Sequence, residues 1–374
     1  MTSPLKFIRQ DVQSMHAYAV QDSKGFIKLD AMENPFTLSA ALQAQLGERL
    51  GKVAINRYPG ARVEELKVAL RAYAGVPSDY GLMLGNGSDE LISLLAMACD
   101  VPNAKILAPL PGFVMYAMSA QLQGMQFIGV DLTADYELDE VAMLAAIEKE
   151  KPAITYLAYP NNPTANLWDA GVIRQIIAAC AAYGGMVVMD EAYQPFSSKS
   201  WMDEIKAAPE QNANVLLMRT LSKFGLAGVR LGYMTGPQAL INEIDKLRPP
   251  YNISVLNAEC ALFALENSDS FRAQAGMITA QRAMLLEALA KVPHLKAYPS
   301  DANMITVRTL GDGGSDAAFA HLKAQGILVK NISKMHPLLR NCLRLTVGTP
   351  DENTVWPGAF GATIHTSRSA RGTT

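Results

Sequence analysis

The chain has 374 residues, of which 49% are hydrophobic and 18% charged, and its formal net charge is −2. This composition is typical of a globular protein. The chain is longer than most domains with a single hydrophobic core, so two domains or lobes are expected. Because the sequence contains no basic block, nucleic acid and anionic membrane surfaces are disfavoured as main partners.

The cysteines are scattered along the chain, at Cys99, Cys180, Cys260 and Cys342, and form no Cys-x-x-Cys pair. This spacing argues against a zinc site or a disulfide framework and favours reduced thiols in the cytoplasm. Residues 1–18 lack the apolar core of a signal peptide, and the most apolar stretch, 176–189, is too short to span a bilayer. We therefore expect a soluble cytoplasmic protein without a bound metal.

In chain order, short apolar runs alternate with helical patterns through the middle of the sequence. Strands are predicted at residues 105–110, 126–132, 153–160, 185–193 and 214–222, and helices at 90–100, 137–150 and 169–184. The strands are apolar on both faces, as in a sheet that is covered on both sides. The alternation predicts βαβ units and a largely parallel sheet between helices.

The pattern changes after residues 248–254, where Pro249 and Pro250 mark a junction. A long helical stretch at 255–290 is followed by shorter strands at 302–309, 326–331 and 342–349. These elements predict a smaller α/β C-terminal lobe. The expected division is a segment at 1–45 that packs with the small lobe, a large domain at 46–250, a small domain at 251–349, and a frayed tail at 350–374 without helical periodicity.

Polar residues stand where the predicted strands end, and ligands of open parallel sheets bind beyond these carboxyl ends. The residues concerned are Asn162, Asp190, Tyr193, Thr220, Ser222 and Lys223. Lys223 is followed only by small or apolar residues until Arg230. Either its stem is buried with the amine in water, or the amine serves as a nucleophile.

Upstream, the motif "LGNGSDELI" leads from a strand through a glycine turn into a helix. The backbone amides of Gly87, Ser88 and Asp89, here called the phosphate cup, would face an anion at the helix N-terminus. A lysine, a carboxylate on a neighbouring strand, a phosphate cup and an arginine are what pyridoxal 5′-phosphate requires. The lysine forms a Schiff base, the carboxylate keeps the ring nitrogen protonated, and the arginine neutralises the phosphate.

An ordered set of motifs carries a family resemblance. They are "LDAMENPF", "INRYPG", "LGNGSDELI", "PGFVMY", "YPNNPT", "MDEAYQPF", "TLSKFGLAGVRLGY" and "NCLRLTVGT". With them the chain resembles the fold-type I pyridoxal-phosphate aminotransferases from about residue 15 to residue 349, and within that family the histidinol-phosphate aminotransferases. The resemblance implies a large domain with a mostly parallel seven-stranded sheet between helices, together with a smaller α/β C-terminal lobe.

The resemblance also implies a role for each candidate residue. Lys223, Asp190 and Tyr193 would be catalytic. The cofactor would be held by Gly87, Ser88, Asp89, Phe113, Asn162, Asp190, Tyr193, Thr220, Ser222, Lys223 and Arg230, and by Tyr58 from the neighbouring subunit of a homodimer. The substrate would be bound by Tyr18, Asn34, Asn162, Lys330 and Arg344. Many relatives carry an arginine where this chain has Lys330, and a lysine lacks the bidentate fork of an arginine.

The implied reaction is transamination of imidazole-acetol phosphate with L-glutamate, giving L-histidinol phosphate and 2-oxoglutarate. The sequence leaves open another fold-type I enzyme, such as an aromatic or broad-range aminotransferase or a phosphothreonine decarboxylase. A non-catalytic binding module that keeps the fold is the alternative from a different class. A nicotinamide dehydrogenase is disfavoured because no Gly-x-Gly-x-x-Gly opens a βαβ unit.

Overall fold

The computed structural model describes residues 4–15, 21–311 and 313–355. The strands within these residues are β1 (Ile27–Lys28), β2 (Tyr80–Gly85), β3 (Lys105–Leu110), β4 (Gln126–Asp131), β5 (Ile154–Ala158), β6 (Met186–Asp190), β7 (Val215–Thr220), β8 (Gly232–Pro237), β9 (Leu295–Ala297), β10 (Met304–Thr309), β11 (Ile327–Leu328), β12 (Lys330–Asn331) and β13 (Cys342–Thr346). The α-helices are α1 (Gln10–Ser14), α2 (Ala40–Gly51), α3 (Ala61–Ala74), α4 (Ser88–Ala98), α5 (Val114–Gln123), α6 (Glu140–Glu150), α7 (Ala170–Ala181), α8 (Trp201–Ala207), α9 (Gln238–Asp245), α10 (Val255–Glu266), α11 (Ser268–Leu289) and α12 (Gly314–Ala324).

The main sheet has seven strands in the order β2-β8-β7-β6-β5-β3-β4. Neighbouring strands from β7 to β4 are parallel, whereas β8 runs antiparallel to both β2 and β7. The predicted mostly parallel seven-stranded sheet of an α/β protein is therefore confirmed. The antiparallel β8 was not predicted as a strand from the sequence.

Both faces of the central strands of the main sheet are buried, which explains why β5 and β6 are apolar along almost their whole length. In β6, Val187 and Met189 belong to the core on one face and Val188 to the core on the other. The same alternation places Leu157 and Tyr156 of β5 on opposite faces. A strand covered on both sides has no polar face, since successive side chains point in opposite directions.

The C-terminal region forms a second, smaller sheet in the antiparallel order β12-β13-β10-β9. Its core contains Leu343 and Leu345 of β13 together with Ile278 of α11 and Leu322 of α12. The N-terminal segment joins this lobe, because β1 pairs in parallel with β11 and Leu29 lies in the same core.

Helix α10 packs against α3 of the large domain, although it follows Pro249 and Pro250 in sequence. Ala258 and Leu262 share a core cluster with Leu66 and Leu70. On the same helix Glu259 pairs with Arg62 at 2.8 Å and also with Arg49. The domain boundary at these prolines remains a prediction.

The expectation that no helix follows Pro350 is wrong for residues 350–355, which are helical. The backbone N–H of Thr349 donates to Glu352 Oε2 at 2.7 Å, and that of Glu352 donates to Thr349 Oγ1 at 3.3 Å. This is a capping box, with Pro350 at the first helical position. The sequence "TPDE" therefore contained a helix-start signal, although the helix is too short for periodicity to show it.

Among the helices of the described residues, none combines the length and the apolarity that crossing a bilayer requires.

Candidate active site

The carboxyl ends of β5, β6 and β7 meet at a cavity of about 370 Å³, here called the central cavity. Its lining includes ten residues predicted as site residues, namely Ser88, Asp89, Phe113, Asn162, Asp190, Tyr193, Thr220, Ser222, Lys223 and Arg230. Parallel strands bring these residues together although they are far apart in sequence.

Lys223 is partly buried and lines the central cavity. The amine donates to the backbone carbonyl of Ala31 at 3.2 Å. Burial lowers the pKa of this amine to about 8, and the positive charge of Arg344 acts in the same direction while Glu33 opposes it. A buried amine with a lowered pKa has more of its neutral, nucleophilic form near neutral pH.

The turn that carries Lys223, Ser222–Leu226, is irregular at Gly225, where φ is 134°. A Cβ atom at this position would lie 2.9 Å from Cδ1 of Phe271. Only glycine combines this backbone angle with so little space. The glycine thus allows the chain to turn directly after the lysine while Phe224 stacks on Phe271, with ring centroids 4.6 Å apart.

Asp190 is buried at the end of β6 and also lines the cavity. Its Oδ2 accepts a hydrogen bond from the Tyr116 hydroxyl at 2.6 Å, and its Oδ1 accepts from the backbone N–H of Ala192 at 3.0 Å. Burial raises the pKa of the carboxyl to about 6, while these hydrogen bonds oppose the rise. A carboxylate has about four acceptor positions, so two contacts leave room for a further donor from the cavity.

The helix start that the sequence predicts after the glycine turn is present, because α4 begins at Ser88 directly after Gly87, and phosphate binding by this cup stays a prediction. Gly87 has a φ of 77°, and a Cβ atom there would lie 2.9 Å from Nη2 of Arg230. That guanidinium lies 3.4 Å from Oδ2 of Asp89. The Thr220 hydroxyl, which also lines the cavity, donates to the Ser222 hydroxyl at 2.9 Å. A helix N-terminus, an arginine and two hydroxyls form a site that favours a phosphate dianion.

Arg344 of the small lobe contacts the large domain beside the cavity. Its Nη1 donates to Oδ1 of Asn162 at 2.7 Å, and its Nη2 donates to the carbonyl of Asp30 at 2.9 Å. Lys330 lies opposite Arg344 in the β12–β13 pair. The two predicted substrate-binding cations therefore lie side by side on neighbouring strands.

Other predicted residues are placed differently. In the described part of the chain, Asn34 is not part of the cavity lining, and its Nδ2 donates to Oε1 of Gln274 at 2.9 Å. Tyr58 is 79% exposed and stacks on Tyr251, with ring centroids 4.6 Å apart, so it does not reach the cavity of its own chain. Tyr18 lies outside the described residues.

Nine residues that line the central cavity were not predicted as site residues from the sequence, and three of them, Ala31, Glu33 and Tyr116, contact or influence Lys223 or Asp190. Ala31 and Glu33 belong to the quoted motif "LDAMENPF", but a backbone carbonyl and an acidic residue that pairs with Lys28 carry no recognisable pattern. Tyr116 ends the quoted motif "PGFVMY", three positions after Phe113. Residues three apart share one side of a helix, and this spacing was the available signal.

The comparison with protein families agrees with this arrangement. The family model described as aminotransferase class I and II matches residues 24–356. The chain belongs to this family. The prediction of an aminotransferase is therefore confirmed.

A curated relative from Polaromonas naphthalenivorans, named histidinol-phosphate aminotransferase, is 66% identical to this aminotransferase over 348 residues, which is 93% of each chain. The solved structure of histidinol-phosphate aminotransferase from Sinorhizobium meliloti in complex with pyridoxal 5′-phosphate matches it with a TM-score of 0.82 and 22% identity, covering 98% of this chain and 99% of that one. The structure of L-threonine-O-3-phosphate decarboxylase from Porphyromonas gingivalis matches with a TM-score of 0.74 and 18% identity, covering 91% and 99%. The fold of this aminotransferase is thus shared with a decarboxylase, and the fold alone does not separate these reactions.

Proposed function

We propose that this aminotransferase transfers an amino group from L-glutamate to imidazole-acetol phosphate, giving L-histidinol phosphate and 2-oxoglutarate, with pyridoxal 5′-phosphate as cofactor. The observation that carries the chemistry is the presence of the Lys223 amine and the Asp190 carboxylate in one cavity, at the ends of neighbouring strands. The choice of substrate follows the name of the relative that is 66% identical.

The residues of the central cavity fit this cofactor. When bound, pyridoxal 5′-phosphate supplies an aldehyde that condenses with amines and a ring that withdraws electrons. The free acceptor capacity of Asp190 would hold the proton on the ring nitrogen, and burial keeps water from competing for it. The phosphate cup, Ser222 and Arg230 would bind the phosphate, and Asn162 and Tyr193 the ring oxygen.

Lys223 would hold the cofactor between turnovers and then carry the proton. With a pKa of about 8, the amine is mostly protonated at pH 7 but keeps a minor neutral fraction, which grows to half near pH 8. The amine lies 5.8 Å from the centre of the Tyr193 ring. A group whose pKa is close to the working pH is effective both as a general acid and as a general base.

The substrates of this reaction are anionic, and the small lobe offers positive charge to them. Arg344 is 8% exposed and already directed to Asn162, so a substrate anion would meet a positioned guanidinium. Lys330 on the neighbouring strand would add a second positive charge. Asn34 and Tyr18 complete the proposed substrate set from the N-terminal segment.

A homodimer in the cytoplasm accounts for two further features. The exposed stack of Tyr58 on Tyr251 offers an aromatic surface, from which Tyr58 would reach the cofactor phosphate of the partner subunit. Cys99, Cys180, Cys260 and Cys342 form no disulfide with one another, which suits a reducing compartment.

The lysine is tested by Lys223→Ala, with Lys246→Ala as the matched control because Lys246 pairs with Glu243 on the exposed side of α9. We expect Lys223→Ala to lose turnover and the visible absorbance of lysine-bound cofactor, and the control to keep both. Normal turnover in Lys223→Ala would refute the assignment.

The substrate is tested by comparing kcat/KM for histidinol phosphate, phenylalanine and threonine phosphate. We expect the enzyme to favour histidinol phosphate strongly. Comparable efficiency on phenylalanine would indicate a broad-range aminotransferase, and release of carbon dioxide from threonine phosphate would indicate a decarboxylase. A colourless protein that takes up no cofactor would favour the non-catalytic module.

A further inference from the structure

At the wall of the central cavity, two tyrosines form a stacked pair, of which Tyr116 lines the cavity and contacts Asp190. The rings of Tyr116 and Tyr156 are 4.3 Å apart and inclined by 7°. Both are fully or almost fully buried, and the Tyr116 ring also meets Phe113 edge-on at 5.6 Å. Tyr116 is therefore held by packing on two sides, which fixes the direction of its hydroxyl.

The two hydroxyls of this pair differ in their contacts. The Tyr116 hydroxyl donates to Asp190 Oδ2 at 2.6 Å. Within the described chain, the Tyr156 hydroxyl has no hydrogen-bond partner. Burial and the nearby carboxylate raise the pKa of Tyr116 far above its ordinary value, so that its hydroxyl keeps its proton and remains a donor.

We propose that Tyr116 is a positioning residue, which keeps Asp190 ionised and directs its free acceptor capacity toward the ring nitrogen of the cofactor. A buried carboxylate loses water as a hydrogen-bond donor, and a hydrogen bond from a neutral phenol replaces that donor. The inference rests on the proposed cofactor but is independent of the proposed substrate.

Burial and nearby negative charges favour the protonated form of Asp190, so a hydrogen-bond donor is needed to keep its carboxyl group ionised. The titratable groups that face it from the surrounding elements are Asp89 of α4, Tyr116 of α5, Tyr156 of β5, Glu191 at the end of its own strand, Tyr193, and Lys223 across the cavity. The negative charges of Asp89 and Glu191 favour the protonated carboxyl, as does burial. The hydrogen bond from Tyr116 is the largest influence in the other direction.

The test compares Tyr116→Phe with Tyr156→Phe, which removes the hydroxyl of the other stacked ring. The apoprotein is titrated with pyridoxamine 5′-phosphate from about pH 5.5 to about pH 8.5, and the affinity is plotted against pH. In the wild type, affinity falls as the pH drops through the pKa of Asp190. In Tyr116→Phe the carboxyl takes up its proton more readily, so we expect this fall to shift upward by about one pH unit.

Two controls separate positioning from general damage. Tyr156→Phe should retain the wild-type profile, because its hydroxyl binds no described group. A pyridoxamine phosphate analogue with C–H in place of the ring nitrogen should show no shift between wild type and Tyr116→Phe. The inference would be overturned if the plots of affinity against pH coincide for wild type and Tyr116→Phe, or if Tyr116→Phe and Tyr156→Phe shift the plot equally. Neither result would affect the proposed function. If the wild-type apoprotein binds no pyridoxamine phosphate, the proposed function and the inference both fail.

Discussion

The amine of Lys223 donates to the backbone carbonyl of Ala31 at 3.2 Å, and this contact joins the centre of the large domain to the N-terminal segment. The next residues of that segment, Met32 and Glu33, also line the central cavity. Besides burial, the positive charge of Arg344 and the negative charge of Glu33 act on the pKa of the lysine, so part of its electrostatic environment comes from outside the large domain. This arrangement makes the ionisation of Lys223 sensitive to residues distant in sequence.

The pH dependence of Lys223 can be tested directly in the apoprotein. Labelling of the amine by a small acylating reagent should be half-maximal near pH 8, as its lowered pKa requires. Arg344→Gln should move this midpoint upward, because it removes a charge that disfavours the ammonium form, and Glu33→Gln should move it downward. The labelled peptide is measured by mass spectrometry. Arg340→Gln removes an exposed charge of the same lobe and serves as the control, and an unchanged midpoint in Arg344→Gln would contradict the coupling.

The proposed contribution of Tyr58 across a dimer predicts complementation. Tyr58→Ala and Lys223→Ala should each be nearly inactive alone. In a two-fold symmetric hybrid of the two, one site combines the intact Lys223 of one subunit with the intact Tyr58 of the other, so random mixing should restore about a quarter of the sites. Steady-state activity after mixing and refolding measures this. If Tyr58 acts within its own chain, the hybrids will gain no activity.

The turn after the lysine predicts a specific cost for a side chain at Gly225. Gly225→Ala combines a φ of 134° with a contact of 2.9 Å to Phe271, and we expect it to lower the free energy of unfolding by about 1–3 kcal/mol and to weaken cofactor binding. Gly47→Ala on the exposed side of α2 meets open space and should be neutral or stabilising by up to about 1 kcal/mol. Thermal unfolding and cofactor titration check both. If the two variants have the same thermal stability and the same cofactor affinity, the turn at Gly225 tolerates a Cβ atom.

Directly behind Asp190, the side chain of Glu191 is buried with Arg219. Arg219 Nε donates to Glu191 Oε2 at 2.9 Å, and the Ser200 hydroxyl donates to Glu191 Oε1 at 3.0 Å. Arg219→Ala would leave the carboxylate buried without its counter-charge, so we expect it to destabilise the protein by about 3–5 kcal/mol.

The matched control for Arg219→Ala is Arg174→Ala, which breaks the exposed 3.0 Å pair with Glu204. Such a pair contributes at most about 1 kcal/mol. The midpoints of urea unfolding measure the difference. If both variants lose the same free energy of unfolding, burial does not strengthen the ion pair between Glu191 and Arg219.

Much of the site was predictable because it is encoded at strand ends. Asn162, Asp190 and Lys223 each follow an apolar run, and the parallel pairing of those runs brings them to one edge of the sheet. The position of the phosphate cup could be predicted for a similar reason, because Gly87 and Ser88 combine a glycine turn with a helix start. For these residues, an apolar run or a glycine turn in the sequence was enough to predict their position, once the strands were expected to pair in parallel.

Contacts between elements that are distant in the chain were not predictable in the same way. The position of β8 between β2 and β7 depends on pairing partners that its own sequence, "GYMTGP", does not specify. The hydrogen bond from Tyr116 to Asp190 joins positions 74 residues apart. In both cases the sequence gives no signal of which distant residue or strand is the partner.

The sequence by itself determined the candidate chemical groups of this protein, namely the lysine, the carboxylate and the glycine turn that begins a helix, because each is a residue type at a recognisable strand or helix end. The tertiary structure alone decided how strongly each group holds its proton. Proton affinity depends on burial and on neighbouring charges and donors. For Lys223 these include Arg344 and Glu33, and for Asp190 the main donor is Tyr116, and only folding brings these residues close to the two groups.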